Sequence, residues 1–249
     1  MKKLGIIQPG KIGDIIICLP IAKWYFDRGW SVIWPIHVDL IKNFIGYVDY
    51  VQFIPLNNFD CIAAHQICFQ NNCNRVIDLA FTIPGANSYN TDWYLNHNDT
   101  LSFDEMKYAI AEVPFEEKWN LSIKRHKASE DSLYYAKMIK GSYPLESEWG
   151  HIIRQTSSSD TVKDYAWPFD KDTTINISND TGSVFDWLKL LETAKGHVLI
   201  ESCFSNLLDQ LQIKVPKQIL LLKHGYYGAT LRDGHLKGIP RLKLDWKHI

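Results

Sequence analysis

The chain has 249 residues, 46% hydrophobic and 22% charged, with a net charge of −1 and nine tryptophans. That length supports a sizeable core, as one large domain or two small ones, and the near-neutral charge argues against a surface built wholly to grip nucleic acid. No apolar run approaches the ~18 residues of a membrane span, no signal peptide is expected, and five cysteines without CxxC spacing predict reduced thiols in a cytoplasmic setting.

The apolar run 4–8 reads as a strand, Pro9 to Asp14 as a glycine turn, and 15–25 as an apolar-faced helix. Gly10 and Gly13 let the backbone turn tightly and let another molecule come close. Asp14 falls at the helix start, at the carboxyl end of a strand, where ligands of open α/β sheets bind. Three roles are open to it: helix cap, ligand contact or catalytic base. Lys11 is either a phosphate contact or a solvated lysine. The turn lacks the Lys-Ser/Thr ending of a P-loop and the third glycine of a dinucleotide fingerprint.

Strands are predicted at 31–36, 50–54 and 75–81, with helices at 38–45 and 59–69 between them. Strands separated by helices of this length imply βαβ units and a parallel sheet with right-handed crossovers. From Thr82 to Thr100 the sequence becomes a long polar, aromatic-studded loop of the kind that is functional or mobile. A helix follows at 102–113, with Ser102 and Glu105 spaced as a capping box, and another at 130–140, stopped by Gly141-Ser142-Tyr143-Pro144.

A second unit begins near Trp149, so the domains are expected at 1–145 and 146–249. Its strands are read at 151–155, 173–177, 198–200 and 218–222, with helices at 185–194 and 202–211. Cys61, His65 and Cys68 share one face of the 59–69 helix and, with Cys73, have the residue types of a zinc site. No matching second pair exists elsewhere, so a partly buried helix face is the preferred reading and no metal is expected. The basic, aromatic tail beyond Lys214 suits either a segment packing back over the body or a nucleic-acid contact.

Two separated segments carry a family resemblance. Gly10-Lys11-Ile12-Gly13-Asp14-Ile15-Ile16 with Leu19-Pro20 resembles the first glycine turn of the heptosyltransferase-like glycosyltransferases of family 9, and Val76-Ile77-Asp78-Leu79 looks like a strand of the same domain. Thr181-Gly182-Ser183, Leu190 to Lys195 and Glu201-Ser202-Cys203-Phe204-Ser205-Asn206-Leu207 are similar to the family's donor-site block. The resemblance implies a GT-B type α/β fold of two Rossmann-like domains with parallel sheets, the second reduced. It thins out over 82–143 and after Leu222. Glu201 stands where the family has Asp, Cys203 where it has Gly, and Asn206 where it has His. A helix–strand unit is missing between Trp167 and Thr173.

The implied activity is inverting transfer of a sugar from a nucleotide-diphosphate sugar to an acceptor hydroxyl, with no metal or other cofactor. The acceptor would be a saccharide or lipopolysaccharide-like glycan, or, as a minor variant, a DNA base. By resemblance Asp14 is the catalytic base. Thr181, Gly182, Ser183, Glu201, Ser202, Cys203, Ser205 and Asn206 bind the donor, its diphosphate at the start of the Ser202 helix. An ordinary helix-capping role is open to the same residues. Gly10, Lys11, Gly13, Arg154 and Lys163 are phosphate or acceptor candidates, Lys163 with Trp167 resembling a family element and otherwise a solvated lysine. The rival functions are an NAD(P)-binding Rossmann oxidoreductase and a nucleotide-sugar-binding relative without turnover.

Overall fold

The computed structural model describes residues 1–80, 101–140, 152–154, 161–162, 174–177, 182–221, 223–224, 230–232, 235–237 and 241–248. They form two compact units, Met1–Lys124 and Arg125–Ile249.

In the first unit Leu4, Ile6 and Ile7 are fully buried, because β1 (Lys2–Ile7) runs inside a parallel sheet whose strands are apolar on both faces. The other strands are β2 (Trp30–His37), β3 (Val51–Leu56) and β4 (Arg75–Asp78), in the order β3-β2-β1-β4. All pairs are parallel, with Leu4 opposite Val32 on one side and Arg75 on the other. The chain therefore builds outward from β1 to β3 and then crosses back to lay β4 on the far side. That reversal creates a switch point between the carboxyl ends of β1 and β4, where ligands of such sheets bind.

The connections are α1 (Ile12–Phe26), α2 (Val38–Ile41) and α3 (Cys61–Gln70). Every residue of α1 from Ile15 to Ala22 is buried. The helix packs on β2, on α4 (Phe103–Ala111) and on a 3₁₀ turn at Phe115–Trp119. The Tyr108 hydroxyl donates to the Ile17 carbonyl at 2.9 Å and the Tyr25 hydroxyl to that of Ala111 at 2.7 Å, locking α4 to α1. The predicted capping box opens α4: the Ser102 amide donates to Glu105 Oε2 at 2.7 Å. The helix predicted over 38–45 ends at Ile41.

In the second unit the strands are β5 (Ile152–Arg154), β6 (Thr161–Val162), β7 (Thr174–Asn176), β8 (Gly196–Ile200), β9 (Lys217–Leu221), β10 (Lys223–His224), β11 (Thr230–Arg232), β12 (His235–Lys237) and β13 (Lys247–His248). Five of them make a parallel sheet in the order β13-β9-β8-β5-β7. Here too the order reverses, between β5 and β8. The helices are α5 (Lys127–Lys140), α6 (Leu188–Thr193) and α7 (Cys203–Gln210).

Helix α5 packs on α6 and on the 3₁₀ turn Val184–Trp187. Arg125, just before it, donates from Nε to Glu130 at 2.6 Å and from Nη1 to Glu192 at 2.7 Å, and Lys189 pairs with Asp131. The units consequently part before α5, earlier in the chain than the boundary near 145 read from the sequence. The tail folds back on the second unit, with β13 pairing on β9. Buried Asp209 accepts from the amides of Lys243 at 3.0 Å and Leu244 at 2.8 Å. Among the described residues no helix is long and apolar enough to cross a membrane.

Candidate functional site

In the first unit the glycine turn leaves β1 at the switch point. Gln8 follows the strand, Gly10 bends, and Lys11 takes φ 61° and ψ 122° as the residue before α1. That left-handed φ is costly for a side chain with a Cβ, and such strain concentrates at functional turns. Lys11 is exposed, and Gly10, Gly13 and Asp14 are half-buried. Asp14 stands in the first turn of α1, and the residue at the cap position is Lys11, without a side-chain cap bond. The positive end of the helix dipole favours a carboxylate there.

The turn is held by a residue that the sequence reading passed over. Lys107 on α4 is 2% exposed, and its amino group donates to Gln8 Oε1 at 2.5 Å and to the Leu79 carbonyl at 2.6 Å. Gln8 in turn donates from Nε2 to the Gly10 carbonyl at 3.1 Å. One buried amine therefore ties the ends of β1 and β4 together and braces the turn through Gln8. A signal existed: Lys107 sits at four-residue spacing from Phe103 and Ala111, on the buried stripe of α4.

Burial pushes the Cys18 thiol up to about 12; Lys107 opposes that shift, and Asp14 and Asp104 add to it. Asp14 and Lys107 thus lie within electrostatic reach of one thiol on α1. At the end of β4, Asp78 is 7% exposed and accepts from the Ala80 amide at 3.0 Å, with His65 Nε2 at 3.4 Å from its other oxygen. Burial raises the Asp78 carboxyl above its ordinary range, against the Ala80 hydrogen bond and His65. Cys61 and Cys68 belong to the core with Ile7, Leu56, Ala64 and Ala80, and burial pushes their thiols up to about 11 and 12. Their face of α3 is a packing face, and among the described residues no three His, Cys, Asp or Glu are grouped to hold a metal.

In the second unit Arg154 and the turn from Glu201 to Cys203 stand where its sheet reverses. Arg154 ends β5 and lies opposite Val198 of the neighbouring β8, from whose end Glu201 and Ser202 follow directly. Glu201, Ser202 and Cys203 are half-buried; Ser205 and Asn206 are buried. Ser202 caps α7: its hydroxyl accepts from the Phe204 amide at 3.2 Å, and its own amide donates to Ser205 Oγ at 2.9 Å. The Ser205 hydroxyl and the Asn206 side-chain Nδ2 both donate to the Ser202 carbonyl, at 3.0 and 2.9 Å. Ser205 and Asn206 thus shape the turn from within, and Glu201, Ser202 and Cys203 reach its surface.

Gly182 and Ser183 open the 3₁₀ turn before α6, where Ser183 is buried and accepts from the Phe185 amide at 3.2 Å. Its amide donates to Asp186 Oδ2 at 3.0 Å. Thr181, Lys163, Trp167, the stretch between Trp167 and Thr173, and the loop 82–100 lie outside the described residues.

No family model matches the chain, and no curated protein matches it. Solved structures do. A family 9 glycosyl transferase from Veillonella parvula superposes with TM-score 0.55 at 11% identity, over 88% of this chain and 80% of that one. The iron-containing dodecameric glycosyltransferase TibC of enterotoxigenic E. coli gives TM-score 0.51 at 12% identity, over 88% of this chain but 57% of its own. E. coli heptosyltransferase WaaC, solved with ADP-2-deoxy-2-fluoro heptose, gives TM-score 0.46 at 13% identity, too loose a likeness to argue from. The resemblance read from the glycine turn and the Glu201 block is thus matched at the level of the fold: the chain has the two-sheet, GT-B type α/β fold of these glycosyltransferases.

Proposed function

We propose that the chain is an inverting glycosyltransferase that moves a sugar from a nucleotide-diphosphate sugar to an acceptor hydroxyl. One observation carries the reading. In each unit one turn singled out from the sequence stands at the carboxyl-end switch point of a parallel sheet, that of Asp14 in one and that of Glu201 to Cys203, following the strand that pairs with Arg154, in the other. A fold shared with family 9 glycosyltransferases supports it.

In this reading Asp14 accepts the proton of the acceptor hydroxyl as its oxygen attacks the anomeric carbon. The bond from that carbon to the diphosphate oxygen breaks on the opposite face, so configuration inverts. The departing negative charge is taken by the N-terminus of α7 and by Arg154, an arrangement that requires no cation. Glu201 accepts hydrogen bonds from donor hydroxyls, and the Gly182–Ser183 turn flanks the nucleotide. Lys11 and Gly10 face the acceptor.

The test is a thermal-shift screen against ADP-, UDP-, GDP- and CMP-sugars, free nucleotides, NAD and NADP, with EDTA and with Mg²⁺. A ligand at ~100 times its Kd stabilises by about 2.7 kcal/mol. Stabilisation by one nucleotide diphosphate or its sugar, undiminished by EDTA, is the expected result, and a response to NAD(P) alone overturns it. Asp14→Asn is expected to abolish transfer while keeping that stabilisation. Full turnover by the variant would remove Asp14 from the role of base.

A further inference from the structure

Phe59 is 57% exposed, yet its ring is held in place. A Cβ on Gly10 would lie 2.5 Å from its Cδ1 and 3.0 Å from its Cε1, so the ring rests directly on the backbone of the glycine turn. The imidazole of His37 stacks on it, with centroids 4.4 Å apart and planes 20° from parallel. His37 is itself fixed: its amide donates to the Pro9 carbonyl at 2.9 Å, and its Nδ1 accepts from the Asp39 amide at 3.3 Å. The glycine at position 10 thus has a second reason beyond the turn, since only a residue without Cβ leaves room for this ring.

An aromatic ring that is half in water and already immobilised gives a ligand a flat apolar face at little cost in ordering entropy. The charges around it narrow the ligand's chemistry. The Asp39 carboxylate lies 3.7 Å from Nδ1 of the stacked His37, and Asp60, next in the chain to Phe59, accepts from the Ile62 amide at the start of α3, while Lys11 follows Gly10. Carboxylates accept hydrogen bonds from hydroxyls and repel phosphate. A neutral ring with one C–H face and a rim of hydroxyls meets both conditions.

We propose that Phe59, backed by His37, is the acceptor-binding platform of this protein, and that its occupant is a neutral pyranose whose C–H face stacks on the Phe59 ring with its hydroxyls turned to the surrounding carboxylates. The proposal rests on the glycosyltransferase reading, and names the chemistry of its acceptor.

The experiment is saturation-transfer NMR on the full chain with methyl β-D-glucopyranoside, methyl β-D-galactopyranoside, methyl α-D-mannopyranoside, glucose 6-phosphate and adenosine. One neutral pyranoside is expected to bind with strongest saturation on the protons of a single C–H face. Phe59→Leu, which keeps an apolar contact and loses the ring, should weaken it about tenfold, and Phe59→Trp should retain it. Melting curves establish that both variants are folded, and nucleotide-induced stabilisation serves as the second readout, expected to be unchanged in both. Silence from all three neutral pyranosides, equal binding by Phe59→Leu, or preferential binding of glucose 6-phosphate or adenosine overturns the platform. If any of these occurs while a nucleotide diphosphate still stabilises the protein, the platform alone falls. Loss of the nucleotide response in the wild type removes the glycosyltransferase reading itself.

Discussion

Lys107→Met tests whether the switch point of the first sheet is held as described. The substitution keeps the length and apolar stem of the side chain and removes only the amine, so the cavity term is small. Two buried acceptors then lose their donor at once, Gln8 Oε1 and the Leu79 carbonyl, now at 2.5 and 2.6 Å. At roughly 1–1.5 kcal/mol for each bond, the loss is about 2–3 kcal/mol. In a protein of this size that lowers Tm by roughly 4–12 °C. The second consequence is local. Gln8, no longer anchored, holds the Gly10 carbonyl less firmly, and the turn carrying Asp14 loosens. Turnover of the nucleotide sugar identified by the screen should fall at least tenfold, at temperatures where the variant is fully folded by circular dichroism. A double-mutant cycle with Gln8→Leu should give a coupling of about 1 kcal/mol. A Tm within about 2 °C of wild type, or a cycle with no coupling, would refute the bracing argument.

Further expectations concern other parts of the chain. Lys118 and Asp104 form an ion pair at 2.6 Å with both side chains fully buried, so Lys118→Met alone should cost about 3–5 kcal/mol by leaving a buried carboxylate without its cation, while Lys118→Met with Asp104→Leu should recover most of that in denaturant titrations. The Asp78 carboxyl is raised from 3.8 chiefly by burial. Just above pH 3.8 the folded protein therefore holds that proton more tightly than the unfolded chain, and stability contributed below this value is lost as pH rises through the folded pKa. Asp78→Asn should remove that downward slope above pH 3.8 in Tm-against-pH curves, and an unchanged slope would acquit Asp78. Cys203 is half-buried at the start of α7, whereas Cys18, Cys61 and Cys68 are buried. Mild alkylation followed by peptide mass mapping should modify Cys203 before those three, and the nucleotide that stabilises the protein should protect it.

Much of the architecture was legible from order and spacing alone. The strand–turn–helix from Lys2 to Phe26, the alternation to Asp78, the capping box at Ser102 and Glu105, and the helix from Cys203 are set by near neighbours: apolar periodicity, turn glycines and side chains that bond their own backbone. The resemblance worked for the same reason, because its motifs are short contiguous stretches around those turns. What the sequence could not supply is which distant groups meet. Lys107 finds Gln8 and Leu79 at the point where the strand order reverses, Phe59 lands on Gly10, and Arg125 binds Glu192 and so draws α5 into the second unit. Each of these contacts joins segments far apart in the chain. Their partners are chosen by strand order and crossover handedness, which act on the whole sheet and leave no trace in the spacing of neighbouring residues. The sequence alone therefore determined the elements and the turns that carry the candidate chemistry; only the tertiary structure decided what braces those turns and which ring stands beside Asp14's glycine.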